Sequence, residues 1–589
     1  MKTFKIFLLV AIMIPAGLKA QNKKYLKEYL SVIASDSLEG RKPGKPGGEK
    51  AAAYIVNILK QNGIQPLGGA SYYQPFDVVT DIELAKSNYL NFDGQKDFAV
   101  GKDYTPLSFS ANGTFEGSVV FVWYGFDFED KGKSVNDYNG VDAKGKWVIM
   151  LTDEPELGDG EKDIYAPYAQ LRMKALTAKD HGAVGVIFVK GKLSDENDDL
   201  IPLLYDKSSA DAGIGVINMT RKAVNRILKS TGKSIEELEK IYNQTKNEAH
   251  QALNINKKML VSIGVMQKKT KTENIIAVLP GEDKKLKDEW IVIGAHYDHL
   301  GYGGEGSGSR MPDTMAVHNG ADDNGSGTVA LLEIAKAMKN RPHKRSIMFI
   351  WFGAEEMGLL GSKYFTEHPL IKLDHIVGMI NMDMMGRLRD NKFYAGGVGT
   401  SKGAKDLLQK VNQKYKFDLI LSESGYGPSD HASFYMKNIP VLYFNTGIHD
   451  DYHTPFDDVE KINFKGLEKT ARFVTDVLLE WANTDNKPVF QEAGDKFAGS
   501  KRYRYKVTLG IIPDFAGQEK RGLRVDGVRK GGPAEKGGMK KGDIIVAVNG
   551  KPVKNIYDYM GRLTQLHKGQ VITVDVLRNG KKKVLLINL

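Results

Sequence analysis

The chain has 589 residues, too many for one ordinary hydrophobic core and enough for roughly three or four domains. Hydrophobic residues make up 41% of it, which excludes an intrinsically disordered chain. The net charge of +11 comes from 83 basic and 72 acidic residues that are well mixed, so the excess reads as a solvated basic surface and no nucleic-acid partner is expected.

Residues 1–20 differ in character from the rest of the chain. Lys2 and Lys5 precede the apolar run "IFLLVAIMI", and Pro15, Ala16, Gly17 and Ala20 close the segment. A positive start, a short apolar stretch and a small final residue describe a secretory signal peptide cleaved after Ala20. The run is short for a membrane span, which needs about 20 residues. No later run is longer, so no integral membrane segment is expected after cleavage. The chain has no cysteine. Disulfides, thiolate ligands and a lipid-bearing thiol are therefore excluded, and export by a bacterial route to the periplasm or medium fits best.

Behind the Gly/Pro-rich "EGRKPGKPGG", Ala52, Ile55, Ile58 and Leu59 recur at helical spacing, and Gly63 follows as a stop. From about 88 to 262 the texture changes to short β-like runs ("GSVVFVWYG", "GKWVIMLTD", "AVGVIFVKG") with a helix around 169–181, as expected of a domain inserted into another. Strands alternating with helices then run to about 483, which predicts a three-layer α/β sheet. The domain built on that sheet is accordingly expected in two segments, 21–87 and 263–483. Residues 484–502 are polar and aperiodic and read as a linker. Residues 503–589 form a further small unit with several short strands.

Chemistry gathers where apolar strands stop, the usual place for sites in an α/β sheet. "EWIVIGAHYDH" ends in His296, Asp298 and His299. "ADDNGSG" puts Asp322 and Asp323 ahead of a helix. "RSIMFIWFGAEEMGLLGS" puts Glu355 and Glu356 after a strand, "HIVGMINMDMMGR" places Asp383 at a strand end, and "DDYHTPF" supplies Tyr452 and His453. Each has a plain structural reading: an Asx turn, a helix cap or a loop histidine. Together they are a set of imidazole and carboxylate ligands suited to Zn²⁺ or a similar divalent ion. One carboxylate more than a tetrahedral site needs points to two metals, about 3.5–4 Å apart, that share it.

The ordered set His-x-Asp, Asp-Asn-x-Ser-Gly, Gly-Ala-Glu-Glu-x-Gly-Leu-x-Gly-Ser, Asn-x-Asp-x-x-Gly and Tyr-His-Thr-Pro resembles the co-catalytic dizinc exopeptidases of clan MH. These are the secreted bacterial aminopeptidases and their relatives, including glutamate carboxypeptidase II. The resemblance implies two zinc ions per chain. His296 and Asp383 would bind one, Glu356 and His453 the other, and Asp323 would bridge them. Glu355 would be the general base, because a base bound directly to zinc loses its basicity. Asp298 would hold the other ring nitrogen of His296, and Tyr452 would donate to the tetrahedral intermediate. His299, His318 and His431 receive no ligand role. Asp430-His431 in "GPSDHASFY" matches a family signature, but Pro428 stands where some bacterial aminopeptidases have arginine. The loop "GYGGEGSGSRMPDTMAVHNG" lacks a P-loop lysine and reads as a mobile rim of the cleft.

Residues 88–262 resemble a protease-associated domain, through "YNGVDAKGKWVIMLTD" and "KALTAKDHGAVGVIFV", and residues 503–589 resemble a PDZ domain. There Leu509, Gly510 and Ile511 would form a carboxylate-binding loop that takes a peptide or protein C-terminus by strand addition; the plain alternative is a packing module. The expected activity is hydrolysis of the N-terminal peptide bond of peptides by a secreted zinc aminopeptidase. A carboxypeptidase or dipeptidase would share the zinc set. A glutaminyl cyclase needs only one zinc, and a non-catalytic peptide-binding scaffold would tolerate the loss of ligands that are all present here.

Overall fold

A computed structural model describes residues 22–493, 507–514 and 519–589, apart from 70, 131, 156–161, 194, 206–209, 246–249 and 530. The expected signal segment and residues 494–502 of the expected linker lie outside the described residues. The chain forms two compact units, Met1–Val78 with Lys271–Gly494 and Val79–Thr270 with Asp495–Leu589.

The first unit is built on an eight-stranded mixed sheet. Its strands lie in the order Tyr73–Leu84, Val265–Leu279, Ser346–Phe352, Trp290–His296, Ile376–Met382, Val441–Asn445, Lys392–Gly396 and Asp418–Leu421. Trp290–His296 runs parallel to both of its neighbours, and Val441–Asn445 continues that direction. Val265–Leu279 runs antiparallel to Ser346–Phe352 and Lys392–Gly396 antiparallel to Val441–Asn445, while Asp418–Leu421 is parallel to Lys392–Gly396. All residues of Ser346–Phe352 and Ile376–Met382 are buried. Strands covered on both faces must read as continuous apolar runs, which is why these carry no alternation. One face packs against the helices Lys23–Ile33, Pro46–Gln61, Gly327–Met338, Ala404–Tyr415 and Phe464–Asn483, through residues such as Leu30, Ile55, Leu331 and Val474. The other packs against Leu360–Glu367 and His431–Tyr435, through Phe365 and Phe434. The architecture is the three-layer α/β sandwich expected.

In the second unit residues 89–263 form another eight-stranded sheet. Gly113–Phe121, Trp147–Leu151, Gly185–Val189 and Gly215–Met219 run parallel at its middle, with the helices Leu171–Asp180, Arg221–Leu228 and Ile235–Gln244 between and after them. The C-terminal strands order as Ile511–Pro513, Leu523–Val528, Ile544–Val548, Val571–Arg578 and Lys581–Asn588. Leu509 and Ile511 are buried in that small core and Gly510 has φ 74°. The helix Ile556–Thr564 lies on Leu171–Asp180. Arg562 is ion-paired with Asp180, Lys179 Nζ lies 3.4 Å from Asp558 Oδ2, and Arg172 stacks 4.1 Å from the Tyr557 ring centroid. Gly561 permits this approach, since a Cβ there would fall 2.3 Å from Leu176 Cδ2.

Arg41 ties the N-terminal segment of the first unit to the strand end that carries His296. Its guanidinium is fully buried and donates to the carbonyls of Tyr297, Ile33, Asn319 and Gly320 at 2.8, 2.8, 2.5 and 3.0 Å. Replacing it with alanine leaves buried carbonyl acceptors without this donor and empties the volume of the side chain. Arg41→Ala is expected to cost about 3 kcal/mol or more and to lower the unit's thermal midpoint by about 6 °C or more. An unchanged midpoint in calorimetry would show that the segment is held by packing alone.

Candidate active site

The central strands deliver the site residues to one edge of the sheet. His296 is the last residue of its strand, and Asp383 follows Met382 directly. Glu355 and Glu356 follow Ser346–Phe352 after a turn in which Ala354 has φ 58°. Asp323 sits in the turn Ala321–Ser326 that opens the helix Gly327–Met338. Gly327 lets this turn reach the sheet, because a Cβ there would lie 2.2 Å from Asn324 Oδ1 and 2.9 Å from the Met382 carbonyl. His453 follows Val441–Asn445 on a loop.

These side chains meet in two adjoining clusters that share Asp323. His296 Nε2 lies 3.3 Å from Asp323 Oδ1 and 3.4 Å from Asp383 Oδ1. His453 Nε2 lies 3.1 Å from Asp323 Oδ2 and 3.2 Å from Glu356 Oε2. His453 Nδ1 lies 3.1 Å from the Gly308 carbonyl, which accepts its hydrogen, and Nε2 is the nitrogen turned to the two carboxylates. Glu355 Oε2 is 3.9 Å from His296 Nε2, at the edge of the first cluster. Asp383 Oδ1 is buried without a hydrogen-bond donor among the described residues.

Charge in this confined space sets the protonation of each group. Burial alone would raise the Asp323 carboxyl, but His296 and His453 overcome it and hold it well below the usual range. Burial and Asp323 oppose ionisation of Glu356, yet hydrogen bonds from His299 and His453 bring it down to about 2. Glu355 goes the other way: burial raises it well above an ordinary glutamate, and Glu356, Asp430 and Asp383 add repulsion. Burial lowers the affinity of His453 for a proton, but Asp323 and Glu356 reverse this and push it up to about 10. Buried carboxylates so close together require cationic charge. Two imidazole nitrogens and carboxylate oxygens, one of them with no donor, fit divalent zinc.

Asp298 meets His296 Nδ1 with its backbone carbonyl, at 3.3 Å, and its Oδ1 lies 3.7 Å from the same nitrogen. Its carboxylate also accepts the backbone N–H of Glu355 at 3.0 Å and of Glu356 at 3.3 Å. The Tyr452 ring stacks 3.9 Å from that of His453, and burial together with the surrounding carboxylates raises its phenol, which stays a hydrogen-bond donor. Of the histidines given no ligand role, His431 is stacked 4.3 Å from the Tyr443 ring and His318 Nε2 lies 2.8 Å from Ser309 Oγ. The loop read as a rim grips the site: Arg310 N donates to the His453 carbonyl at 2.9 Å, and its guanidinium donates to the carbonyl of Asp450 at 3.1 Å.

Several participants were given no role from the sequence. Asp430 is fully buried and raised to about 7, chiefly by that burial. His299 contacts Glu356 at 2.8 Å. Asp457 Oδ2 accepts the N–H groups of Asp322 and Asp323 at 2.8 and 3.0 Å, and Arg387 bridges Asp457 and Asp451 at 3.1 and 2.9 Å. This clamp joins the Asp323 turn, the segment after Asp383 and the loop before His453. Asp457→Ala is expected to weaken retention of a divalent metal about 10–100-fold, read as zinc kept after equilibration with a chelator. Retention equal to the parent's would show that the turn needs no such brace.

Residues 274–478 match peptidase family M28, and residues 507–589 match the PDZ domain. Aminopeptidase YwaD of Bacillus subtilis is 28% identical over 358 residues, 59% of this chain and 65% of that protein. A probable leucine aminopeptidase of Arthroderma otae is 26% identical over 293 residues, 47% of this chain and 68% of that protein. The chain thus spans just under two thirds of the length of YwaD. Among solved structures, BSAP, a zinc aminopeptidase from Bacillus subtilis, aligns with 80% of this chain and 98% of its own at 21% identity and a TM-score of 0.47. The chain carries a peptidase family M28 domain followed by a PDZ domain.

Proposed function

We propose that this protein is an exported, zinc-dependent aminopeptidase that removes N-terminal residues from peptides. The observation that carries the reading is the single carboxylate of Asp323, whose two oxygens face two different imidazoles, 3.3 Å from His296 and 3.1 Å from His453. That arrangement suits a bridging ligand, with Asp383 completing the His296 side and Glu356 the His453 side. Two zinc ions, when bound, would polarise the scissile carbonyl and favour ionisation of the attacking water.

The remaining work belongs to the chain's own residues. Glu355 takes a proton from the water and returns it to the leaving amine. A raised carboxyl is suited to that, since a base must also become an acid near neutral pH. Asp298 fixes the backbone of Glu355 and so aims the base. Tyr452, held neutral, donates to the oxyanion. The free amine of the substrate is drawn to the carboxylates at the rim of the two clusters. Export is supported by the sequence of residues 1–20, and among the described residues no helix is long and apolar enough to cross a membrane. Residues 88–262 are read as a protease-associated domain. The segment Leu509–Ile511 is read as a loop for peptide or protein C-termini at the strand edge.

Glu355→Gln keeps the shape of the base and removes its proton affinity. Turnover is expected to fall about 100- to 10,000-fold with zinc content unchanged. Wild-type turnover in that variant would exclude Glu355 as the base. A panel of aminoacyl anilides, their N-blocked forms and peptides with blocked C-termini, each with and without chelator, tests the reaction class. Chelator-sensitive cleavage confined to free-amine substrates is the expected result. Cleavage that requires a free C-terminus would make the enzyme a carboxypeptidase on the same ligands.

A further inference from the structure

His299 lies in no role that the family resemblance implies, yet it is one of the best-fixed side chains of the site. It is 1% exposed, and its Nδ1 lies 2.8 Å from Glu356 Oε1. Its Nε2 is buried and has no hydrogen-bond partner among the described residues. A neutral imidazole has one N–H and one lone pair. A carboxylate at Nδ1 demands the N–H there, and a lone pair left at Nε2 is the less costly atom to bury unpaired. The ring cannot swing away. His299 N donates to the Arg41 carbonyl at 3.3 Å, and Gly320 packs so closely that a Cβ would fall 2.4 Å from His299 Cδ2.

Glu356 is therefore held at three points. Its N–H is taken by Asp298, Oε1 by His299, and Oε2 is turned to His453 Nε2 at 3.2 Å. The rings of His299 and His453 stand at 72° to each other with centroids 5.7 Å apart, one on each side of that carboxylate. Loss of the donor at Oε1 removes one of the restraints on rotation of the carboxylate and loosens the oxygen facing Asp323 and His453.

We propose that His299 is a positioning residue of the second metal centre: its Nδ1–H holds Glu356 Oε1 so that Oε2 is presented beside His453 and Asp323. The proposal rests on Glu356 being a metal ligand, as in the proposed function. His299 also stands with Asp323 and Glu356 close enough to hold an ion; the proposal differs from a ligand role through Nδ1, the nitrogen beside Glu356, which carries the hydrogen instead.

Two measurements test it. Histidine-selective ¹⁵N NMR of the metal-free protein, with the His299 signal assigned by its loss in His299→Asn, is expected to report the Nδ1–H tautomer. An Nε2–H tautomer would overturn the proposal. Zinc titration against a chromophoric chelator is expected to show two ions in the parent. His299→Ala should weaken one of them about 10–100-fold and leave the other within about threefold. His299→Asn, whose amide nitrogen can occupy the place of Nδ1, should recover most of the loss. Equal affinities in His299→Ala and the parent would overturn the proposal. A parent that takes up no zinc would remove the metal reading of the site instead, while the tautomer still decides whether His299 donates to Glu356.

Discussion

Asp323 is the point on which the first unit is organised. It is buried, ionised and placed where two imidazoles meet it, one on each oxygen. A carboxylate in such a place is costly unless charge and hydrogen bonds surround it. The surroundings supply both, and most of the unusual features of this unit can be traced to that requirement. Glycine at 327 lets the turn approach the sheet. Asp457 takes the turn's N–H groups, and Arg387 neutralises Asp457 in turn.

The same logic runs outward in layers. Ligand candidates sit on strand ends and loops, and a second set of polar groups holds the backbone on which they stand. Asp298 braces Glu355 and Glu356, the Gly308 carbonyl orients His453, and Arg41 fixes the segment after His296 against the N-terminal turn. Such outer groups keep first contacts within a few tenths of an ångström of a productive geometry. Splitting adjacent glutamates into one strongly acidic and one weakly acidic group depends on these braces. Glu356 is hydrogen-bonded to two imidazoles, whereas burial and three neighbouring carboxylates outweigh the one imidazole, His296, that lies near Glu355.

The outline of this arrangement is legible in the sequence because apolar strands end where chemistry begins. "WIVIGAH", "SIMFIWFGAEE" and "IVGMINMD" each mark a strand and its site residue in a single stretch. The three layers follow from the alternation of strands and helices. His299, Asp457 and Arg387 were not legible, since each acts through a partner far away in the chain: Glu356 for His299, Asp323 for Asp457, and the pair Asp451 and Asp457 for Arg387. A histidine beside a recognised motif or an aspartate in an acidic run carries no mark of such a pairing. Asp298 was legible only in part. Spacing of two along an extended chain puts its carbonyl 3.3 Å from His296 Nδ1, while the turn beyond the strand carries its carboxylate on to the amides of Glu355 and Glu356, which the sequence does not mark.

In the second unit a different constraint decides what the C-terminal domain can offer. Its helix Ile556–Thr564 spends one face on Leu171–Asp180, where Gly561 allows close approach and Arg562 is neutralised by Asp180. Those residues are therefore not available to an outside ligand. The strand Ile511–Pro513, by contrast, ends its sheet and pairs on one side only, with Leu523–Val528, among the described residues. An edge of that kind offers unpaired backbone groups along one side. Within this unit the small domain that carries that edge is anchored through its helix to Leu171–Asp180.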